Sequence, residues 1–168
     1  MAGSIASRLE FAYIYYGTIM KNDPFKIRRY RPADNTPLSS IWYEASVQAH
    51  AFLGEERLSQ QRVLVQATYL PQAETWVACV DEAPVGFIGL IDNFIGGLFI
   101  SPACQGRGIG AALLAHAFRL KGNLSLTVYA ENQAAHRFYH HHGFHDVSRH
   151  SVDDEGLPFP IIRMRSEV

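Results

Sequence analysis

Cysteine is scarce in this chain: Cys79 and Cys104 are the only two in 168 residues. One sits in an apolar run and the other in a loop-like stretch, which excludes a disulfide framework or a paired-thiolate metal motif. A reducing, cytoplasmic compartment is the resulting expectation. Charge of one sign is lacking too. The formal net charge is −1, so no global basic field points to nucleic acid. No apolar run approaches the ~18 residues needed to span a bilayer, so no membrane association is expected. Repeats and low-complexity tracts are absent. Hydrophobic residues make up 48% and charged residues 18%, too apolar for a disordered chain and ample for one domain with a proper core.

The opening "MAGSIASRLEFAYIYYGTIMKNDPF" stands apart. Phe11 to Ile19 is aromatic and apolar, but Arg8 and Glu10 precede it and no A-x-A site follows, so it reads poorly as a signal peptide. Residues 1–24 are expected to be an extension, with Met20 as an alternative start, or a short helix packed on the domain. The domain proper is expected over 25–168.

Along that domain, "FKIRRYRPAD" alternates into Pro32 and predicts a first strand. Asp34 is placed to cap a helix carrying Leu38, Ile41, Trp42, Ala45 and Ala49 at helical spacing. A second helix follows "HAFLGEE", with Leu58, Val63, Leu64 and Ala67 as its apolar face and Pro71 at its end. "TWVACVD" and "PVGFIGLI" are β-rich and separated by Glu82-Ala83, which predicts a hairpin. "IGGLFISP" supplies a further strand. A helix from Arg107 to Lys121 should then turn Ile109, Leu113, Ala117 and Leu120 inward. "LSLTVYA" predicts a strand, Asn132 the N-cap of another helix, and Gly143 the residue just past its end. "HDVSRHSV" and "LPFPIIRMR" read as two strands around the acidic "DDEG". The order β-α-α-β-β-β-α-β-α-β-β implies a mixed α/β (α+β) fold with helices packed on the sheet.

The stretch "SPACQGRGIGAALLAHAF" places glycines at 106, 108 and 110 before an apolar helix. A helix opening inside a glycine run offers free N–H groups and the positive end of its dipole to an anion. No Lys-Ser or Lys-Thr follows, which excludes a P-loop. Gly106-Arg107-Gly108-Ile109-Gly110-Ala111 also fits the dinucleotide fingerprint, with Glu131 where a ribose-binding acid would sit. Too little chain remains after Glu131 for the further βαβ units of that fold, however. Hairpin-like strands also precede the loop, whereas a dinucleotide fold places this motif at its first strand.

The strand "LFISP", the loop "QGRGIGAALL" and the segment "NQAAHRFYHHHGF", taken with the element order from Phe25 onward, resemble the GNAT superfamily of acetyl-CoA-dependent N-acetyltransferases. Within it, "AHAFL", "WVA", "PVGF" and "VDDEG" are similar to small bacterial single-domain members, some linked to protein lysine acetylation. The resemblance implies a central, mixed and mainly antiparallel, splayed sheet of about 6–7 strands with about 4 helices. It implies acetyl-CoA as cosubstrate, with no metal. The backbone of Leu98, Phe99 and Ile100 would meet the pantetheine arm, and Gln105, Gly106, Arg107, Gly108, Ile109, Gly110 and Ala111 would cradle the pyrophosphate. Asn132 would bond the pantetheine, cap its own helix, or do both. Gly96-Gly97 is either a bulge that opens the sheet or a tight turn.

Acetyl transfer to an amine needs a neutral nucleophile, a donor for the developing oxyanion and an acid for the departing thiolate. An N–H of Phe99 or Ile100 is the simplest oxyanion donor. By periodicity alone Tyr139 is a core aromatic beside Phe138; the resemblance makes it the acid. His50, between the first two helices, is the first candidate for proton transfer or acceptor binding, or is merely exposed. Glu44, Asp92 or a water chain are the alternatives. Seven of the eight histidines lie at or after His116, but the run His140-His141-His142 points in different directions on a helix and makes no compact metal site by itself. Asp153, Asp154 and Glu155 are a polar turn or face the acceptor. The expected partners are acetyl-CoA and a primary amine, a protein lysine or a small molecule, with the chain a monomer or homodimer. A non-catalytic acyl-CoA sensor of the same fold is the competing function.

Overall fold

Seven strands and four helices follow one another in the expected order in the computed structural model, which describes residues 25–167. The readings of residues 1–24 lie outside the described residues. Strand β1 (Phe25–Arg29) leads through a 3-10 turn into α1 (Asn35–Ala49). Asp34 occupies the N-cap position but does not cap. Its carboxylate accepts a bidentate pair from Arg28, at 2.7 and 2.9 Å, and the Arg31 N–H, which ties β1 to the start of the helix. That hydrogen bond from Arg28 holds the Asp34 carboxyl below the usual carboxylate range.

Helix α2 (Glu55–Leu64) runs into a π turn, Val65–Tyr69, and a last turn, Leu70–Gln72. The widened turn accommodates Pro71, whose ring would collide with the Ala67 carbonyl in a regular helix. It also changes which side chains face inward. Leu58, Val65 and Leu70 are buried, whereas Val63 and Leu64, expected on the apolar face, are exposed.

Strands β2 (Glu74–Val80), β3 (Ala83–Ile91) and β4 (Phe94–Ile100) form an antiparallel meander. The β2–β3 turn is Asp81-Glu82, one residue earlier than read from sequence. Both residues have positive φ (47° and 67°), which is the demand of a two-residue hairpin turn matched to strand twist. Helix α3 (Ile109–Lys121), strand β5 (Ser125–Tyr129), helix α4 (Gln133–His141), strand β6 (Phe144–His150) and strand β7 (Ile161–Ser166) complete the domain. Helix α3 begins two residues later than expected, Ala112 and Leu114 join its inner face, and Leu120, in its last turn, is exposed.

The sheet order is β1-β2-β3-β4-β5-β7-β6, with β4 and β5 the parallel pair. Both faces are covered. Alternation along β2 and β3 sends Val77, Cys79 and Phe87 into a core beneath α1 and α2, with Leu38, Trp42 and Leu58. Ala78 and Ile88 face the opposite core, with Leu113, Ala117 and Met164. Among the described residues, no helix is long and apolar enough to cross a membrane.

Candidate active site

Strands β4 and β5 touch at one end only. Phe94 pairs with Ser125 and Ile95 with Leu126, after which the strands part. The cause lies in β4. Its register against β3 slips between Leu90↔Ile95 and Gly89↔Gly97, leaving Gly96 as a bulged residue. The Gly96-Gly97 pair is therefore a bulge rather than a turn. Beyond it, Leu98, Phe99 and Ile100 keep their pairing with β3 and expose the other backbone edge to the wedge.

Tyr69, carried by the π turn, occupies the space that the glycines leave. Its hydroxyl donates to the Gly89 carbonyl at 3.2 Å, and a Cβ on Gly96 would fall 2.6 Å from that hydroxyl. Burial raises the Tyr69 pKa well above the ordinary phenol value. Sequence reasoning did not single out this residue. A tyrosine near the end of a helix carries no signal by itself, although the Gly89, Gly96 and Gly97 cluster marks a place where something bulky must approach the strands.

Two pockets of about 220 and 270 Å³ fill the wedge, and both are bordered by His50, Leu98, Phe99, Asn132, Ala135 and Tyr139. The larger continues to Gln105 and Gly110 of the glycine loop. The other runs between the strands past Trp42, Leu53, Gln61 and Tyr129. Three of the expected chemical residues, His50, Asn132 and Tyr139, thus stand at the junction, drawn from the end of α1 and from α4. Glu44 and Asp92 border neither pocket.

The glycine loop is exposed from Gln105 to Gly108. Gly106 and Gly108 have φ of 78° and 80°, with nothing within 4 Å of where a side chain would begin. Gln105 folds back, its Nε2 donating to the Ile100 carbonyl at 3.2 Å. Gly108 is the N-cap of α3, and the Ala112 N–H closes on its carbonyl. The N–H groups of Ile109, Gly110 and Ala111 accordingly point out of the helix end. The Ile109 side chain is buried in the core, leaving only its backbone to the loop. Gly110 is helical, and a side chain there would meet Phe138 and Ile100 at ordinary contact distance.

At the junction, the Asn132 side chain accepts the Ala135 N–H at 3.2 Å, the expected cap, while its Nδ2 lies 3.1 Å from His50 Nε2. An amide nitrogen can only donate, so this contact fixes His50 as the Nδ1–H tautomer with Nε2 accepting. Burial pushes the His50 pKa down to about 4, so the ring is neutral at pH 7. Its ring packs edge-on against Tyr129, 5.1 Å between centroids. Tyr139 is buried edge-on against Phe138 and Phe144, and burial raises its pKa above the ordinary value, which keeps the phenol protonated.

The acidic turn divides. Asp153 is buried, and its Oδ1 accepts the N–H groups of Glu155 and Leu157, both at 2.9 Å. Arg57 of α2 pairs with Glu155 and lies 3.8 Å from Asp153, clamping the turn to the helix. Trp42, Gln61 and Tyr129 are further lining residues. Only Trp42 had a signal, as an apolar helix position, and Gln61 reads in the sequence as solvent-facing.

The family described as acetyltransferase (GNAT) domain matches residues 71–146. The peptidyl-lysine N-acetyltransferase YjaB of Salmonella typhimurium is 37% identical over 139 residues, covering 82% of this chain and 95% of that protein. The solution structure of apo YjaB from Escherichia coli superposes with a TM-score of 0.77 at 34% identity, covering 84% of this chain and 96% of that one. The paia N-acetyltransferase of Thermoplasma acidophilum, in complex with coenzyme A, shares the fold with a TM-score of 0.65 at 19% identity, covering 86% and 99%.

Proposed function

The chain belongs to the GNAT family and is an N-acetyltransferase, and from that premise we propose that it transfers the acetyl group of acetyl-CoA to the Nζ of a lysine in a protein or peptide. One observation carries the reading: the wedge holds two pockets that meet at His50, Asn132 and Tyr139. One reaches the anion-ready loop and the other is free for an acceptor. The names of the relatives favour a peptidyl lysine over a small amine.

The residues present fit the cosubstrate. Gly106 and Gly108 leave an open cradle at the N-terminus of α3 for a pyrophosphate, with N–H groups of Ile109, Gly110 and Ala111 as donors and Arg107 as a neighbouring cation. Gln105 braces the loop on Ile100. The free edge of Leu98, Phe99 and Ile100 offers strand-like hydrogen bonds to an amide-bearing arm, and Asn132 borders the same pocket. When bound, acetyl-CoA supplies the acetyl group as a thioester.

The chain's own groups meet the three chemical needs. Of the two expected donors, the Phe99 N–H is turned to β3 by the register, and the Ile100 N–H on the free edge is the one available to developing negative charge. Tyr139 holds a proton at the pocket junction, available to a leaving thiolate. His50, neutral and with Nε2 accepting, is placed to take a proton from the amine, directly or through water. The low pKa makes it a weak base, suited to relaying a proton rather than holding it.

The test is acetyl-CoA turnover with lysine-containing peptides beside free lysine, polyamines and other small amines, the modified atom located by mass spectrometry. Acetylation at Nζ of the peptides is expected. Turnover confined to small amines would remove the peptide acceptor, and acetyl-CoA binding without turnover of any amine would leave a sensor.

A further inference from the structure

On the face of α4 turned away from the wedge, three ligand-bearing side chains converge. His136 and His140 lie one helical turn apart, and the chain reverses at Gly143 (φ 91°) so that Asp146 of β6 returns beside them. His136 Nε2 is 2.7 Å from Asp146 Oδ1, and His140 Nε2 is 3.0 Å from the same oxygen. The two imidazole nitrogens are 3.1 Å apart. The other carboxylate oxygen, Oδ2, faces the Arg149 guanidinium at 3.5 Å, which leaves Oδ1 to the histidines.

Protons alone satisfy this triangle poorly. If both neutral rings donate to Asp146, their two N–H groups confront each other across 3.1 Å. If one ring accepts from the other, its Nε2 has no proton left for the carboxylate. A cation between the three atoms uses all three lone pairs at once. Ligands at about 2.0–2.1 Å from a tetrahedral zinc ion lie about 3.3 Å from one another, so the group needs to open by only about half an ångström.

We propose that His136, His140 and Asp146 form a binding site for a divalent transition-metal ion of the zinc type, separate from the acetyl-transfer site. Two imidazoles and one carboxylate suit such an ion, and solvent completes the fourth position on this exposed face. Arg149 orients the carboxylate from outside. The run His140-His141-His142 contributes only its first member, and its partners come from one turn back and across the Gly143 reversal. A bound ion would clamp α4 to β6 while Ala135 and Tyr139 of the same helix border the wedge, so metal would stabilise the helix that carries the proposed acid.

The untagged full chain, stripped with a chelator, is titrated with zinc by calorimetry and with cobalt(II) by visible absorption. One ion per chain and a tetrahedral-type cobalt spectrum are expected. Alanine at His136 or His140 should weaken binding at least about tenfold, as should Asp146→Asn, while Arg149→Ala weakens it up to about tenfold. His140 is 45% exposed, so its replacement spares the fold, which the unchanged melting temperature of the metal-free variant would report. His141→Ala should bind as the parent does. Zinc affinity unaltered in both His136→Ala and His140→Ala, or a loss in His141→Ala equal to that in His140→Ala, would overturn the site in favour of a generic histidine-rich surface.

Discussion

The phenol of Tyr139 is buried among aromatic rings yet borders both pockets, so its packing and its proton can be separated by one substitution. Tyr139→Phe keeps the ring. Stability should change little, and the turnover rate should fall by roughly 10²–10³, the scale of general acid catalysis. The deficit should shrink for a thioester with a better leaving group, and wild-type turnover in a folded variant that binds acetyl-CoA would return Tyr139 to a purely structural role. His50 makes a different prediction, about pH. Its folded pKa of about 4 lies below the ordinary value near 6.5, so between those values the unfolded chain binds more protons. Stability contributed by the neutral ring is therefore complete above about pH 6.5 and lost as pH falls toward 4, about 2 kcal/mol of it by pH 5. Urea unfolding at pH 7 and pH 5 should show a smaller acid loss in His50→Gln, which retains an acceptor for Asn132. Equal losses in the two proteins would mean that His50 is solvated as in the unfolded chain.

At the scale of elements, the bulge that opens the wedge packs against the π turn through Tyr69. Gly96→Ala would set a Cβ 2.6 Å from the Tyr69 hydroxyl, and a buried ring has little room to withdraw. Overpacking of this kind costs about 1–3 kcal/mol. Because the clash is with one side chain, the loss should diminish in a Tyr69→Leu background. A double-mutant cycle by urea denaturation measures the coupling, and additive losses would exclude Tyr69 as the cause. The sequence reveals the strands on either side of this contact, since alternation and turn residues are local signals. The bulge that parts β4 from β5 was half legible, since Gly96-Gly97 reads as either a bulge or a turn, but Tyr69, which packs on it, was not, because it is brought from twenty residues upstream of Gly89 by a helix whose irregular turn has no signature beyond Pro71. The glycine loop and Asn132 were legible because a helix start writes its requirements into adjacent residues. Val63 and Leu64 misled for the complementary reason: regular periodicity was extended through a turn that is not regular. The histidine triangle was hidden similarly, since its i, i+4 pair overlaps the consecutive run at His140, and Asp146 joins it only after the Gly143 reversal.

For the whole molecule, β1 to β4 and β5 to β7 form two blocks of sheet whose direct pairing is limited to Phe94 with Ser125 and Ile95 with Leu126. A ligand lodged in the wedge touches β4 from one block and α4 from the other, so it links parts that the sheet joins weakly. Binding to the folded form alone stabilises it by mass action, about 2.7 kcal/mol at a hundredfold excess over Kd. For a domain of this size that corresponds to a rise in Tm of about 5–10 °C. Acetyl-CoA should produce this shift, and NADH should not. Gly108→Asp tests where the anion sits. The variant places a side chain and a negative charge at the exposed N-cap of α3, a position with room for them in the free protein. Gly108 has φ 80°, which costs an L-residue about 1–2 kcal/mol, so the ligand-free Tm should fall by a few degrees with the protein still folded. The acetyl-CoA shift should nevertheless disappear, because the new carboxylate occupies and repels the pyrophosphate. A Gly108→Asp protein that retained the full shift would place the phosphates away from this loop, and a shift with NADH but none with acetyl-CoA would overturn the assignment of the wedge to coenzyme A.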